Sequence, residues 1–160
     1  MRKNEVWRNV DFTDMIVDNM QLPGPGDATC HEVDCNLPDL DTIRITVVNG
    51  HCTTPFTVDD NGIAYGSLRD ATVKSPDIVQ KYIGNNDKSD NAYERHNADN
   101  FTDGVFIFVP NGVSVDKPFQ IVSVSDSDKP LFVETRNLVI AGSRSALSLV
   151  QCDDSIGETH

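Results

Sequence analysis

The chain has few basic side chains, no long apolar run and no glycine-rich phosphate loop, and each shortage removes a class of function. Lysine and arginine total 13 against 25 aspartates and glutamates, a net charge of −12 at pH 7. A protein that grips a nucleic-acid backbone needs a basic footprint to displace counterions from phosphates, and no such cluster exists here. The acidic surplus could favour a basic protein partner or cations, although a solvated surface that keeps the protein soluble accounts for it as well. No apolar stretch approaches the roughly 18 residues that a membrane-spanning helix needs. The start, MRKNEVWRNVDF, lacks the apolar core of about 7 to 15 residues that follows the basic end of a secretory signal. The expected location is therefore cytoplasmic. Without a Walker-type loop, ATP binding by that route is excluded. Cysteine is scarce, at positions 30, 35, 52 and 152, and without an export signal reduced thiols are the expectation.

What is present fits one ordinary domain: 160 residues, 38% apolar and 24% charged, the composition of a soluble globular protein. Residues 4–20 read as an extended lead and a short helix, and QLPGPGDAT at 21–29 as a loop. HEVDCNLPDLD reads as a short extended segment. IRITVV at 43–48 alternates Ile43, Ile45 and Val47 with Arg44 and Thr46, the period of a half-buried strand. Asn49-Gly50 matches a type I′ turn, so HCTTPFTV should return as an antiparallel partner, ended by a second turn at DDNG, 59–62. Ser67, Leu68, Ala71 and Val73 indicate a short helix. Ser75-Pro76-Asp77 is a helix start, followed by an apolar stripe of Ile78, Val79, Tyr82 and Ile83 and a stop at Gly84. Ala92, Tyr93, His96, Asn97 and Phe101 fit one more helix, running into Asp103-Gly104.

From 105 onward VFIFV, PFQIVSV, LFVE, NLVIA and ALSLVQC are short strand-like runs with polar corners and no intervening amphipathic helix. An antiparallel sandwich or barrel and a parallel β-helix both produce such a series. Composition alone does not separate them.

Several ordered pieces carry a resemblance: Glu5-Val6-Trp7-Arg8 with Val10-Asp11-Phe12; Val47-Val48-Asn49-Gly50; Gly66-Ser67-Leu68 with PDIVQKYIG from Pro76 to Gly84. The most specific runs from Asn97 and Asn100 through Asp103-Gly104-Val105-Phe106-Ile107-Phe108-Val109-Pro110 and Gly112-Val113 to Lys117-Pro118-Phe119-Gln120-Ile121, continued by Arg136-Asn137-Leu138-Val139-Ile140. In this order they resemble the SufB/SufD family of iron–sulfur cluster assembly proteins, most closely its SufD branch, with Asn111 where Lys is frequent and Phe108 where Tyr is frequent.

The resemblance implies an N-terminal fragment: an α+β capping region with a hairpin and short helices over 1–104, then the first rungs of a right-handed parallel β-helix over 105–160. Gly104 and Gly112 would sit at corners needing unusual backbone angles. It further implies a non-catalytic scaffold subunit whose partners are a SufB-like protein and a SufC-like ABC-type ATPase. An iron–sulfur cluster belongs to the full complex and no cofactor to this stretch. A solenoid cut here would self-associate through exposed strand edges. The competing expectation is a β-helical carbohydrate-active enzyme or glycan-binding module, which needs convergent carboxylates.

No catalytic, cofactor or metal residue is expected from these patterns. CHEVDC gathers Cys30, His31, Glu32, Asp34 and Cys35, but Cys-x4-Cys lacks the spacing and the second pair of a zinc site, so a buried Cys35 is the plainer reading. Asp153, Asp154, Glu158 and His160 imitate an acidic lyase cluster but read as solvated turn residues. Cys152 reads as packed at a strand end, and His31, His51 and His96 form no i, i+4 pair.

Overall fold

The computed structural model describes residues 20–29, 35, 37, 40–83 and 92–156. The expected elements over 4–20 lie outside them except for Met20, as do the expected helix stop at Gly84, the loop 85–91 and most of the extended segment 31–41. The loop at 21–29 contains one 3-10 turn, Pro25–Asp27.

Strand β1, Ile43–Val48, turns through Asn49 (φ 47°) and Gly50 (φ 85°) into the two-residue strand β2, His51–Cys52. Both turn residues sit in the left-handed region that a type I′ hairpin requires, and the pair is antiparallel, Val48 opposite His51. The return is shorter than expected. Strand β3, Thr57–Val58, crosses to a second sheet and pairs with β4, Ala64–Ser67, around the turn at Gly62 (φ 77°). The Asp59 carboxylate accepts from the Asn61 and Ile63 amides and closes that turn.

Three helices follow among the described residues. In α1, Leu68–Lys74, the cap is Ser67, whose Oγ accepts from the Asp70 amide at 3.1 Å. Pro76 begins α2, Pro76–Ile83, where a missing N–H costs nothing. Helix α3 is Ala92–Asn100. The remaining strands are β5, Val105–Val109, β6, Phe119–Asp126, β7, Leu138–Ala141, and β8, Leu149–Ile156. LFVE forms no strand: Leu131 and Thr135 make only isolated bridges, to Gln21 and Asp103.

The strands form two four-stranded mixed sheets in the orders β2-β1-β6-β8 and β3-β4-β5-β7. In the first, β1 runs parallel to β6 and β6 to β8; in the second, β3, β4 and β5 are antiparallel neighbours and β5 runs parallel to β7. This corrects the sequence expectation: the architecture is a mixed α/β domain, not the opening of a right-handed parallel β-helix. The tight turns at Asn49-Gly50 and 59–62 reverse the chain, which forces antiparallel neighbours, and β4 supplies the antiparallel partner of β5 (Ala64 opposite Phe108).

The near-continuous apolar character of VFIFV has another cause than stacked coils. Val105, Ile107 and Val109 point into a core shared with Ile45 and Val47 of β1 and Phe119 and Ile121 of β6, between the two sheets. Phe106 faces the opposite way, into a second cluster with Leu68, Ala71 and Val79 from the helices. A strand buried on both faces shows no polar alternation. Tyr82 of the expected α2 stripe stays exposed; Val79 is the buried member.

Candidate functional site

The two sheets are tied together at Asp103, which is 5% exposed. Its Oδ2 accepts from the Cys52 amide of β2 at 3.1 Å, while Oδ1 accepts from the Arg69 amide at the start of α1 at 3.0 Å. The Ser67 hydroxyl lies 3.0 and 3.1 Å from the two oxygens. Asp103 thereby extends the cap of α1 and fastens it to the other sheet. Gly104, next in line, packs against the backbone of Arg136: an added Cβ would lie 1.9 Å from its carbonyl oxygen. Gly104 is needed for close approach rather than for an unusual φ, whereas Gly112 does have a positive φ, of 74°.

Polar side chains repeat this clamping elsewhere. Buried Asn49 donates from Nδ2 to the carbonyls of Asp27 and Asp126 and accepts the Asp126 amide on Oδ1. Asn137 accepts from the Val105 amide at 2.9 Å, and Asn97 donates to the Thr135 carbonyl at 3.1 Å. Asn111, where lysine is frequent in the resembled pattern, accepts from the Ser143 amide at 2.7 Å. An asparagine at such a corner replaces a missing backbone partner.

Beside Asp103 opens a cleft of about 350 Å³ whose walls include His51, Cys52, Thr54, Ser67 and Arg69. Its chemistry is muted. Burial pushes the Cys52 thiol up from 9.0 to about 12, against a lowering by a backbone hydrogen bond of Thr54, so it stays protonated and unreactive at neutral pH. Because the thiolate is the nucleophile, alkylation of Cys52 by iodoacetamide near pH 8 is expected to be on the order of a hundred-fold or more slower than for an exposed cysteine. Peptide mass spectrometry measures this; labelling at the exposed rate would contradict the burial. His51 is 9% exposed and its Nε2 has no partner among the described residues.

The motifs with chemical promise do not converge. Of CHEVDC, Cys35 alone falls within the described residues, and it is bonded to Cys152 across 117 positions of sequence. The expectation of reduced thiols therefore fails for this pair, while Cys52 is free. Asp153 and Asp154 are exposed on β8 rather than in a turn, and Glu158 and His160 lie outside the described residues. His96 contacts Glu134, Nδ1 to Oε1 at 2.9 Å. Among the described residues no group of three or more His, Cys, Asp or Glu side chains is set to hold a metal. Asp103 was missed in the sequence because Asp-Gly there reads as a turn; its position, with Gly104, directly before the apolar run VFIFV was the available signal.

A family model described as the SufBD protein N-terminal region matches residues 2–121. The chain belongs to the SufBD family. The match includes the Asn49-Gly50 hairpin, the Ser67 cap and the Asp103-Gly104 clamp. The iron-sulfur cluster assembly SufBD family protein slr0074 of Synechocystis sp. (strain ATCC 27184 / PCC 6803 / Kazusa) is 30% identical over 96 residues, 58% of this chain and 19% of that protein. The alignment thus spans about a fifth of that SufBD relative's length. No solved structure matches the chain. Among the described residues, no helix of this SufBD chain is long and apolar enough to cross a membrane.

Proposed function

We propose that this SufBD chain is a non-catalytic scaffold, SufD-like rather than SufB-like, in a cytoplasmic complex that assembles iron–sulfur clusters, with a SufB-like protein and a SufC-like ABC-type ATPase as partners. The observation that supports it is the family match over residues 2–121 together with the use made of the matched residues. Asp103 and Asn49 spend their polar groups on the chain itself, as a scaffold requires, and the cysteine in the cleft is held protonated. Iron–sulfur clusters are cargo of the complex in this reading.

The test is genetic. Deleting the gene is expected to lower the activity of an iron–sulfur dehydratase in cell extracts, and chemical reconstitution of its cluster should restore that activity. Unchanged activity, or a loss that reconstitution does not repair, would count against the assembly role.

The sheet ends also carry the expected self-association. Among the described residues β7 and β8 each end one of the two sheets and expose Val139 and Leu149 by 43% and 42%, and open edges template pairing. Pairing with a second copy brings Asp153 and Asp154 toward like charges, so added salt should strengthen it. Light scattering is expected to show dimers at high protein concentration that increase with salt; a clean monomer throughout would contradict this.

A further inference from the structure

We propose that Cys35 and Cys152 form a reversible thiol–disulfide switch that fixes or frees the edge strand β8. This goes beyond the scaffold reading and does not depend on it.

Among the described residues strand β8 has one neighbour, β6, in the order β2-β1-β6-β8. Its own side chains are exposed or only half-buried along its whole length, whereas those of β6 are mostly buried. A strand with one ladder and little apolar burial opens locally at low cost. The Cys35–Cys152 bond adds a covalent tie at its middle, where Cys152 stands opposite Val122. Strand order is therefore coupled to the state of one bond.

Reversibility follows from how Cys35 is held. Its carbonyl accepts from Gln120 Nε2 at 2.7 Å, and Gln120, 3% exposed, accepts on Oε1 from Thr42 at 2.8 Å. Gln120 and Val122 lie two residues apart on β6 and so share a face of the sheet. When the bond opens, Cys35 remains anchored at Gln120 on the face to which the β6–β8 ladder returns Cys152. Two thiols kept near each other reclose readily. Both cysteines are half-buried, within reach of a small thiol. Cys52, its thiol protonated by burial, does not compete.

The chemistry balances with a soluble dithiol as reductant. One thiolate of the dithiol attacks a sulfur of the pair to give a mixed disulfide, and its second thiolate closes the reductant's own ring. Cys35 and Cys152 leave as two thiols, having gained two electrons and two protons. Oxidised glutathione runs the reverse: the pair loses two protons and two electrons, and two glutathione thiols form.

The test uses the full chain, unmodified and with Cys30→Ser to remove the nearby thiol, equilibrated with dithiothreitol or with oxidised glutathione. Amide hydrogen exchange is read over 149–156. Reduction is expected to speed exchange in β8 at least tenfold while β1 and β5 hold their rates, and reoxidation should restore protection. Cys35→Ser should show the fast rate in both buffers; if that variant does not fold, the dithiothreitol titration of the unmodified chain gives the same answer. Equal β8 exchange in the two states would make the bond a passive staple and overturn the proposal. So would failure of the pair to re-form, or absence of the Cys35–Cys152 peptide by mass spectrometry.

Discussion

Asp103→Ala is expected to lower the thermal midpoint by roughly 10 °C, the largest loss from any single polar change. The substitution strips the acceptor from the Cys52 and Arg69 amides and the Ser67 hydroxyl, all at a site 5% exposed. Each buried donor left unsatisfied costs about 1–3 kcal/mol, and this change orphans two amides and a hydroxyl together. At this chain length one kcal/mol moves the midpoint by roughly 2–4 °C. Asp103→Asn keeps one oxygen acceptor and should lose about half as much. Thermal unfolding followed by circular dichroism distinguishes the three proteins. A loss under about 1 kcal/mol for the alanine variant, within the range of ordinary surface changes, would show that Asp103 does not join the sheets.

Gly104→Ala is expected to be comparably damaging for a different reason. Its new methyl would overlap the Arg136 carbonyl oxygen at 1.9 Å and the carbonyl carbon at 2.6 Å, and neither is free to retreat. Arg136 donates its amide to the Asp103 carbonyl at 3.0 Å, and the Gly104 carbonyl accepts from Leu68 at 2.9 Å. Relief requires separating chain segments that are bonded together, an overpacking cost of about 3 kcal/mol or more. Gly112→Ala makes the comparison sharp. Its φ of 74° costs an alanine about 1–2 kcal/mol, but nothing lies within 4 Å of the added carbon. Denaturant unfolding should rank Gly104→Ala well below Gly112→Ala; the reverse order would mean that backbone conformation, not close approach, governs the corner.

The local parts of this structure were legible in the sequence, and the long-range parts were not. Asn49-Gly50 predicts its own turn because both residues tolerate positive φ. Pro76 marks a helix start because a missing amide acts within one turn, whereas Ser67, read as part of a short helix, is the cap of α1. The parallel pairing of 43–48 with 119–124 has no local signature. Neither does the antiparallel seating of β4 on β5. VFIFV shows the consequence. Two-sided burial produces the same continuous apolar run whether the neighbours are stacked coils or the helices and sheet that cover β5 here, and the solenoid expectation failed at that ambiguity. Cys35 and Cys152, 117 residues apart, were read as separate thiols because connectivity cannot be deduced from spacing. The family itself was legible, since Asp103-Gly104 and the run to Ile121 stand in the order that resembles it.

The scaffold role is tested most directly by placing an affinity tag on the native gene, capturing the protein from its own cells and quantifying what accompanies it by mass spectrometry. A SufB-like protein and an ABC-type ATPase are expected in near-equal amounts to the bait and should survive a salt wash. Recovery of the bait alone, with both candidates present in the lysate and neither retained, would contradict membership in such a complex.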